Sequence, residues 1–240
     1  MAIRSYWKMN YLENFNEYFN QIKLIWKKLN NPNRIIPFCT PIILDPKFLI
    51  IGTNHSDNFH PNDENENIRI ADLFSNQIST KEHTFLDHHH PFAEGLRKVV
   101  SEIQKDYKEF KITKDWIGTN RCAIQTNSSG LGDEILKHPE YANCQKEMDN
   151  LLKDFIRLTK PKNVILTGKV ACKLYYSEKR LKDMKCKKLL FGKESKDTFN
   201  LIPIWQLSNL WRQDRYDGES FETKTVNRLK NAIENGLCEL

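Results

Sequence analysis

Lys47-Phe48-Leu49-Ile50-Ile51-Gly52-Thr53-Asn54-His55-Ser56-Asp57 is the stretch on which the fold turns. A continuous apolar run ends at a glycine and is followed at once by polar side chains. Phe48 to Ile51 read as a strand buried on both faces, the pattern of a parallel sheet rather than of a half-exposed ribbon. Gly52 permits a sharp turn that a Cβ would resist. Thr53 to Asp57 then stand where the strand ends, the edge of an open α/β sheet at which ligands bind.

The rest of the chain supplies partners for such a strand. Asp115 to Thr126, with Trp116-Ile117-Gly118-Thr119-Asn120-Arg121-Cys122-Ala123-Ile124 at its centre, predicts a second strand. Asn163 to Thr167 predicts a third and Phe199 to Trp205 a fourth. Between them lie helix-sized stretches: about 92–110, with Leu96, Val99, Val100, Ile103, Tyr107 and Phe110 on one side, and 139–159, with Cys144, Met148, Leu151, Leu152 and Phe155 inward. Gly168 turns the third strand into a short helix over 170–176, and a last helix covers 219–234, closed by Asn235-Gly236. Residues 11–29 predict an amphipathic N-terminal helix through Leu12, Phe15, Phe19, Ile22, Trp26 and Leu29. Strands alternating with helices imply a three-layer α/β/α fold around a central, mostly parallel four-stranded sheet. The 240 residues read as a single domain with a long polar insertion at about 58–90.

No apolar run reaches the roughly 20 residues needed to cross a bilayer, and the first residues lack the apolar core of a signal peptide, so the expected location is cytoplasmic. The six cysteines are scattered without a Cys-x-x-Cys pair, which argues for reduced, mostly buried thiols and against a zinc ribbon. Net charge is +6 and unevenly spread. From Lys160 to Lys196 twelve Lys and Arg face three acids, a local charge of +9 that leaves the remainder at −3. A basic segment on a near-neutral body is an electrostatic footprint of nucleic-acid binding; a solvated lysine-rich face is the plainer alternative.

Three strand ends carry polar groups that a parallel sheet would bring to one side: Asn54 with Asp57, Asn120, and Gln206-Leu207-Ser208-Asn209. Each alone is equally a turn former or a helix cap. Six of the seven histidines fall between His55 and His90. His83 and Asp87-His88-His89-His90 are metal-ligand types, but adjacent ligands on an extended chain point opposite ways. A DNA contact or pocket lining is the preferred role, and no metal or other cofactor is expected.

In this order the pieces resemble the uracil-DNA glycosylase superfamily. Gly52-Thr53-Asn54-His55-Ser56 is similar to the catalytic motif that mismatch-specific and single-strand-selective members write Gly-x-Asn-Pro. His88-His89-His90-Pro91-Phe92, with Leu96-Arg97-Lys98, resembles the His-rich aromatic stretch before a helix in the mismatch-specific group. Trp116 to Asn120 matches the strand whose last Asn reads the base. Lys160-Pro161-Lys162-Asn163-Val164-Ile165-Leu166-Thr167-Gly168-Lys169-Val170-Ala171 matches the family's Lys-Pro, apolar strand, Gly-Lys/Arg and Ala. Ile204-Trp205-Gln206-Leu207-Ser208-Asn209-Leu210 stands where the family has its His-Pro-Ser leucine loop. The match spans about Lys47 to Leu210, with His55 in place of the motif proline and Gln206 in place of the histidine.

The resemblance implies a monomeric, metal-independent DNA glycosylase. A base inside a duplex is unreachable and must be flipped out. Lys169, Arg212, Arg215 and the basic segment would grip phosphates, and Leu210 would fill the vacated stack. Phe59, Phe85 or Phe92 would stack on the flipped base, with His55 as a further base-side group. Asn120 would read the base edge, its amide pairing with uracil or, turned over, with cytosine. Asn54 would hold the attacking water. Asp57 would take the proton or balance the sugar cation; a loop carboxylate bonding backbone N–H groups is the alternative. Gln206 or Ser208 would donate to the departing base. The expected substrate is a damaged or modified base rather than plain uracil, in repair or in defence against phage with hypermodified bases. Two other classes stay open: a non-catalytic nucleic-acid-binding module with the same fold, and a small-molecule nucleotide hydrolase.

Overall fold

The computed structural model describes residues 40, 42–53, 84–87, 89–121, 139–178, 180–214 and 218–240, with positions 17, 20, 21 and 24. The chain divides into two compact units. One, Pro37–Thr53, Lys81–Arg121 and Thr159–Leu240, holds the whole sheet. The other, Met1–Ile36, Asn54–Thr80 and Cys122–Leu158, holds nearly all of helix α3 (Pro139–Thr159). Along α3 the residues Cys144, Met148, Leu152 and Phe155 are buried, a stripe at spacings of four and three. The N-terminal helix expected over 11–29 and the insertion at 58–90 lie largely outside the described residues.

The sheet is mixed and mostly parallel, with five strands in the order β2-β1-β3-β5-β4. These are β1 (Phe48–Gly52), β2 (Trp116–Asn120), β3 (Asn163–Thr167), β4 (Lys187–Leu190) and β5 (Thr198–Ile204). All four expected strands form, and they run parallel. The fifth, β4, pairs antiparallel with β5 at the edge. Its sequence, Lys187-Lys188-Leu189-Leu190, alternates half-buried and exposed positions, so it carries no buried apolar run to announce it. Its exposed Lys188 is of the kind that keeps an edge strand from pairing with another chain.

Every residue of β1 is buried, as the apolar run requires. Phe48 and Ile50 face the main core with Ile165, Ile202 and Ile204. Helix α2 (Pro91–Gln104) adds Leu96, Val99, Val100 and Ile103 there, and helix α5 (Phe221–Glu234) adds Val226 and Leu229. Each such side chain contributes about 1.5–3 kcal/mol on leaving water. Leu49 and Ile51 point to the opposite face and are equally buried, so both faces of the sheet are covered.

Helix α2 stops at Gln104, short of the expected 110. Phe110 instead turns back into the core edge-on to Phe48 and Trp116, with ring centroids 5.5 and 5.6 Å away; continuing the helix would carry that ring away. Ser220 caps α5 by accepting from the Thr223 N–H, and Gly236 closes it at φ +67°. At the amino ends of the strands, buried Asn163 works as a clamp. Its amide donates to the carbonyls of Lys47 (3.1 Å) and Glu239 (2.9 Å), and its Oδ1 accepts from Asn200 Nδ2 (3.0 Å) and the Glu239 N–H (2.9 Å).

From β1 the chain crosses to β2 on one side, and from β3 it crosses to β5 on the other. The neighbouring strands β1 and β3 thus mark the point where winding reverses, the place where open α/β sheets carry their ligand crevice, at the carboxyl ends of the strands.

Candidate functional site

Register fixes what meets in that crevice. Gly52 lies opposite Asn120, and Thr167 opposite Ile204. Gly52-Thr53, Asn120-Arg121, Gly168-Lys169 and Trp205-Gln206 therefore emerge side by side. The expected convergence of Asn120 with the Gln206 segment beside the β1 exit is observed.

Bare Cα atoms make the close approaches possible. A Cβ on Gly52 would fall 2.2 Å from Asn120 Oδ1 and 3.5 Å from Phe92 Cε2. The Asn120 amide and the half-buried Phe92 ring therefore bracket the floor of the site at Gly52. Phe92 is held by α2, whose first turn carries Pro91 and is capped by His90: its Nδ1 accepts from the Ala93 N–H at 3.2 Å. That bond commits one nitrogen of the histidine run to structure. Phe85, on the short helix α1 (Thr84–Asp87), stacks behind Phe92 at 6.1 Å and is 1% exposed. It belongs to the core, where it fills the space beside Gly118, and leaves Phe92 as the half-buried aromatic next to Gly52.

The second half of the site is an amide lying over a glycine. Gly168 has φ +78°, a conformation that favours glycine, and a Cβ there would meet Gln206 Oε1 at 2.3 Å. Gln206 Oε1 accepts from Thr53 Oγ1 at 3.3 Å, and Nε2 donates to Ser208 Oγ at 3.4 Å. The Thr53 hydroxyl sets the amide's orientation, and the second Nε2 hydrogen remains to donate. Thr53, one residue beyond β1, stands in the stretch read from sequence as the strand exit but has no role of its own there; its role follows from a contact across 153 residues that no local pattern carries.

Arg121 joins the two halves. Its N–H donates to the Gly52 carbonyl at 3.0 Å and its guanidinium to the Val170 carbonyl at 2.8 Å. Lys169, at the start of the short helix α4 (Gly168–Cys172), is exposed beside the site.

The segment after β5 departs from expectation in one respect. Leu210 is 5% exposed and packs in the core cluster with Leu207 and Leu96. A Cβ on Gly95 of α2 would fall 2.1 Å from the Leu207 carbonyl oxygen, so helix and loop are tightly apposed. A buried leucine is poorly placed to enter a base stack. The exposed apolar side chain is its neighbour Trp211, 75% exposed, with the Arg212 guanidinium 5.3 Å from its ring centroid.

Asn54, His55, Asp57, Phe59 and Arg215 lie outside the described residues, as do His83 and His88. His89 is exposed, 3.8 Å from Glu94. The described thiols stay away from this chemistry: Cys144, Cys172 and Cys238 are buried and Cys186 is half-buried. Burial pushes Cys172 and Cys238 up to about 12. Among the described residues no helix is long and apolar enough to cross a membrane.

No protein-family model matches the chain, and no curated protein matches its sequence.

Proposed function

We propose that this protein is a cytoplasmic, monomeric DNA glycosylase of the uracil-DNA glycosylase type, which hydrolyses the N-glycosidic bond of a flipped, modified base and leaves an abasic site. The observation that carries this is the meeting of two amides and an aromatic ring at the strand ends: Asn120 and Phe92 around Gly52, and Gln206 over Gly168. The burial of both sheet faces supports the three-layer α/β/α arrangement that the resemblance implies.

In this reaction water adds to the sugar C1′ while the base leaves with the electron pair of the glycosidic bond. The extruded base stacks on Phe92, and the Asn120 amide pairs with its edge. Asn54, two residues beyond Gly52, orients the water through its side-chain oxygen. Asp57 accepts its proton or offsets the cationic sugar. The free Nε2 hydrogen of Gln206 donates to the departing base. A fixed donor aimed at developing charge is worth about 2.7–4 kcal/mol in comparable sites. A neutral amide stabilises an anion less than a charged donor does, which favours a base that leaves more readily than uracil. Trp211 takes the stack-filling role that Leu210 is too buried to serve, and Lys169 and Arg212 hold phosphates.

Labelled duplexes containing uracil, hypoxanthine or modified cytosines test the proposal. Alkali-sensitive cleavage at one modified base is expected, and it should disappear with Asn54→Ala. The charge neutrality of Gln206 favours a second reading, a binding module without catalysis. In that case Asn54→Ala and Asp57→Ala leave activity in cells unchanged.

A further inference from the structure

A second concave surface runs along α5, and of the strand-end residues only Trp205 lines it. It is an open groove of about 490 Å³. Asn227, Asn231 and Asn235 line it. A spacing of four stacks them on one helix face, and all three are exposed. Exposed Lys182 and Lys185, from the basic segment, line it as well. Arg228 ties the two walls together. Its guanidinium donates to the carbonyls of Leu181 (3.1 Å) and Pro203 (3.0 Å) and reaches that of Lys182 at 3.5 Å. It also lies 4.4 Å from the ring centroid of Trp205, which is buried beneath the groove. The lining cations outnumber the one acid, Glu219, and the Lys224 charge is answered by Asp214 at 2.6 Å.

Amide donors in a row, flanked by lysines, suit an extended anion whose charges repeat. The lining from Lys224 to Asn235 spans about 18 Å, the length of roughly five phosphates at the 3.4 Å axial rise of a duplex strand. Asn and Lys contacts of this kind grip sugar and phosphate without reading sequence. We propose that the α5 groove binds the sugar–phosphate backbone of a nucleic-acid strand. The class of ligand rests on the nucleic-acid reading above; the location rests on the groove's own charge and shape.

The test uses the full chain and fluorescent, undamaged 20-mers, single-stranded and duplex, with anisotropy read from 50 to 200 mM salt. The groove variants are Lys182→Glu/Lys185→Glu and, separately, Asn231→Asp. Lys108→Glu/Lys111→Glu makes the same charge change at exposed positions outside both the groove and the basic segment. The groove pair should weaken binding tenfold or more and lower the log–log salt slope by about 1–2. Asn231→Asp should weaken binding severalfold, and the control pair less than threefold. Equal weakening by the two lysine pairs, or no strand binding by the unaltered protein, overturns the groove. Base release, measured in parallel on duplexes containing uracil, hypoxanthine or modified cytosines, separates the two proposals. Groove-dependent binding without base release upholds the groove and fails the glycosylase, whereas base release with undiminished binding by the groove variants fails the groove alone.

Discussion

Asn120 faces Gly52 directly across the β1–β2 pair, and its side-chain oxygen occupies the place where a Gly52 Cβ would stand, 2.2 Å away. The glycine at the end of the buried strand therefore does more than turn the chain: its missing side chain seats the amide that would read the base. Gly52→Ala must push that amide aside. Overpacking of this kind costs about 1–3 kcal/mol in stability, and a misplaced reactive group costs up to about 100-fold in rate. Base release should fall tenfold or more at a temperature where the variant remains folded. Gly192→Ala, with nothing within 4 Å of the new methyl, should leave the rate unchanged.

Trp211, five residues beyond Gln206, is an exposed aromatic, and stacking of a base on such a ring is worth about 1–3 kcal/mol. Trp211→Ala should weaken DNA binding about 5- to 150-fold by anisotropy, with the melting temperature unchanged. Leu210→Ala should do the reverse. Removing a buried leucine side chain costs about 2–5 kcal/mol, so its effect belongs in a denaturation curve.

The Asn163 clamp makes four hydrogen bonds at the buried amino ends of the strands. Asn163→Leu strands its partners in a site where each unsatisfied group costs about 1–3 kcal/mol. Urea denaturation should show a loss of about 3 kcal/mol or more. The clamp lies at the opposite end of the strands from the candidate site, so residual folded protein should keep its DNA affinity.

Buried thiols set an alkaline limit to stability. Cys172 and Cys238 titrate near 12 in the folded chain against 9.0 for an unperturbed thiol, because burial disfavours the thiolate. The folded state holds these protons more tightly, so their contribution is complete below pH 9 and is lost as pH rises towards 12. Thermal melting between pH 9 and 12 should show a falling midpoint, and Cys172→Ala should flatten that fall.

Much of this fold was legible because a strand buried on both faces must be apolar throughout. Phe48–Ile51, Val164–Leu166 and Leu201–Ile204 announced themselves, and Gly52 at the end of β1 and Gly168 after β3 marked where they stop. Strand β4 was hidden because an edge strand buries only alternate residues, and its two lysines read as part of a solvated segment. The end of α2 was misjudged because Phe110 keeps a helical spacing yet is drawn back by Phe48 and Trp116. At the site, polar residues after strands were visible, but the Thr53–Gln206 contact was not. The burial of Leu210 depends on Gly95 letting α2 close onto the loop, a relationship between residues 115 positions apart.

The most direct measurement is mass spectrometry of a mixed-base DNA incubated with the full chain. Release of one modified base, with an equal yield of abasic sites and a tenfold or greater fall in both in Gly52→Ala, is the predicted result. Intact DNA with no free base, from a protein that still binds it, would contradict the glycosylase account.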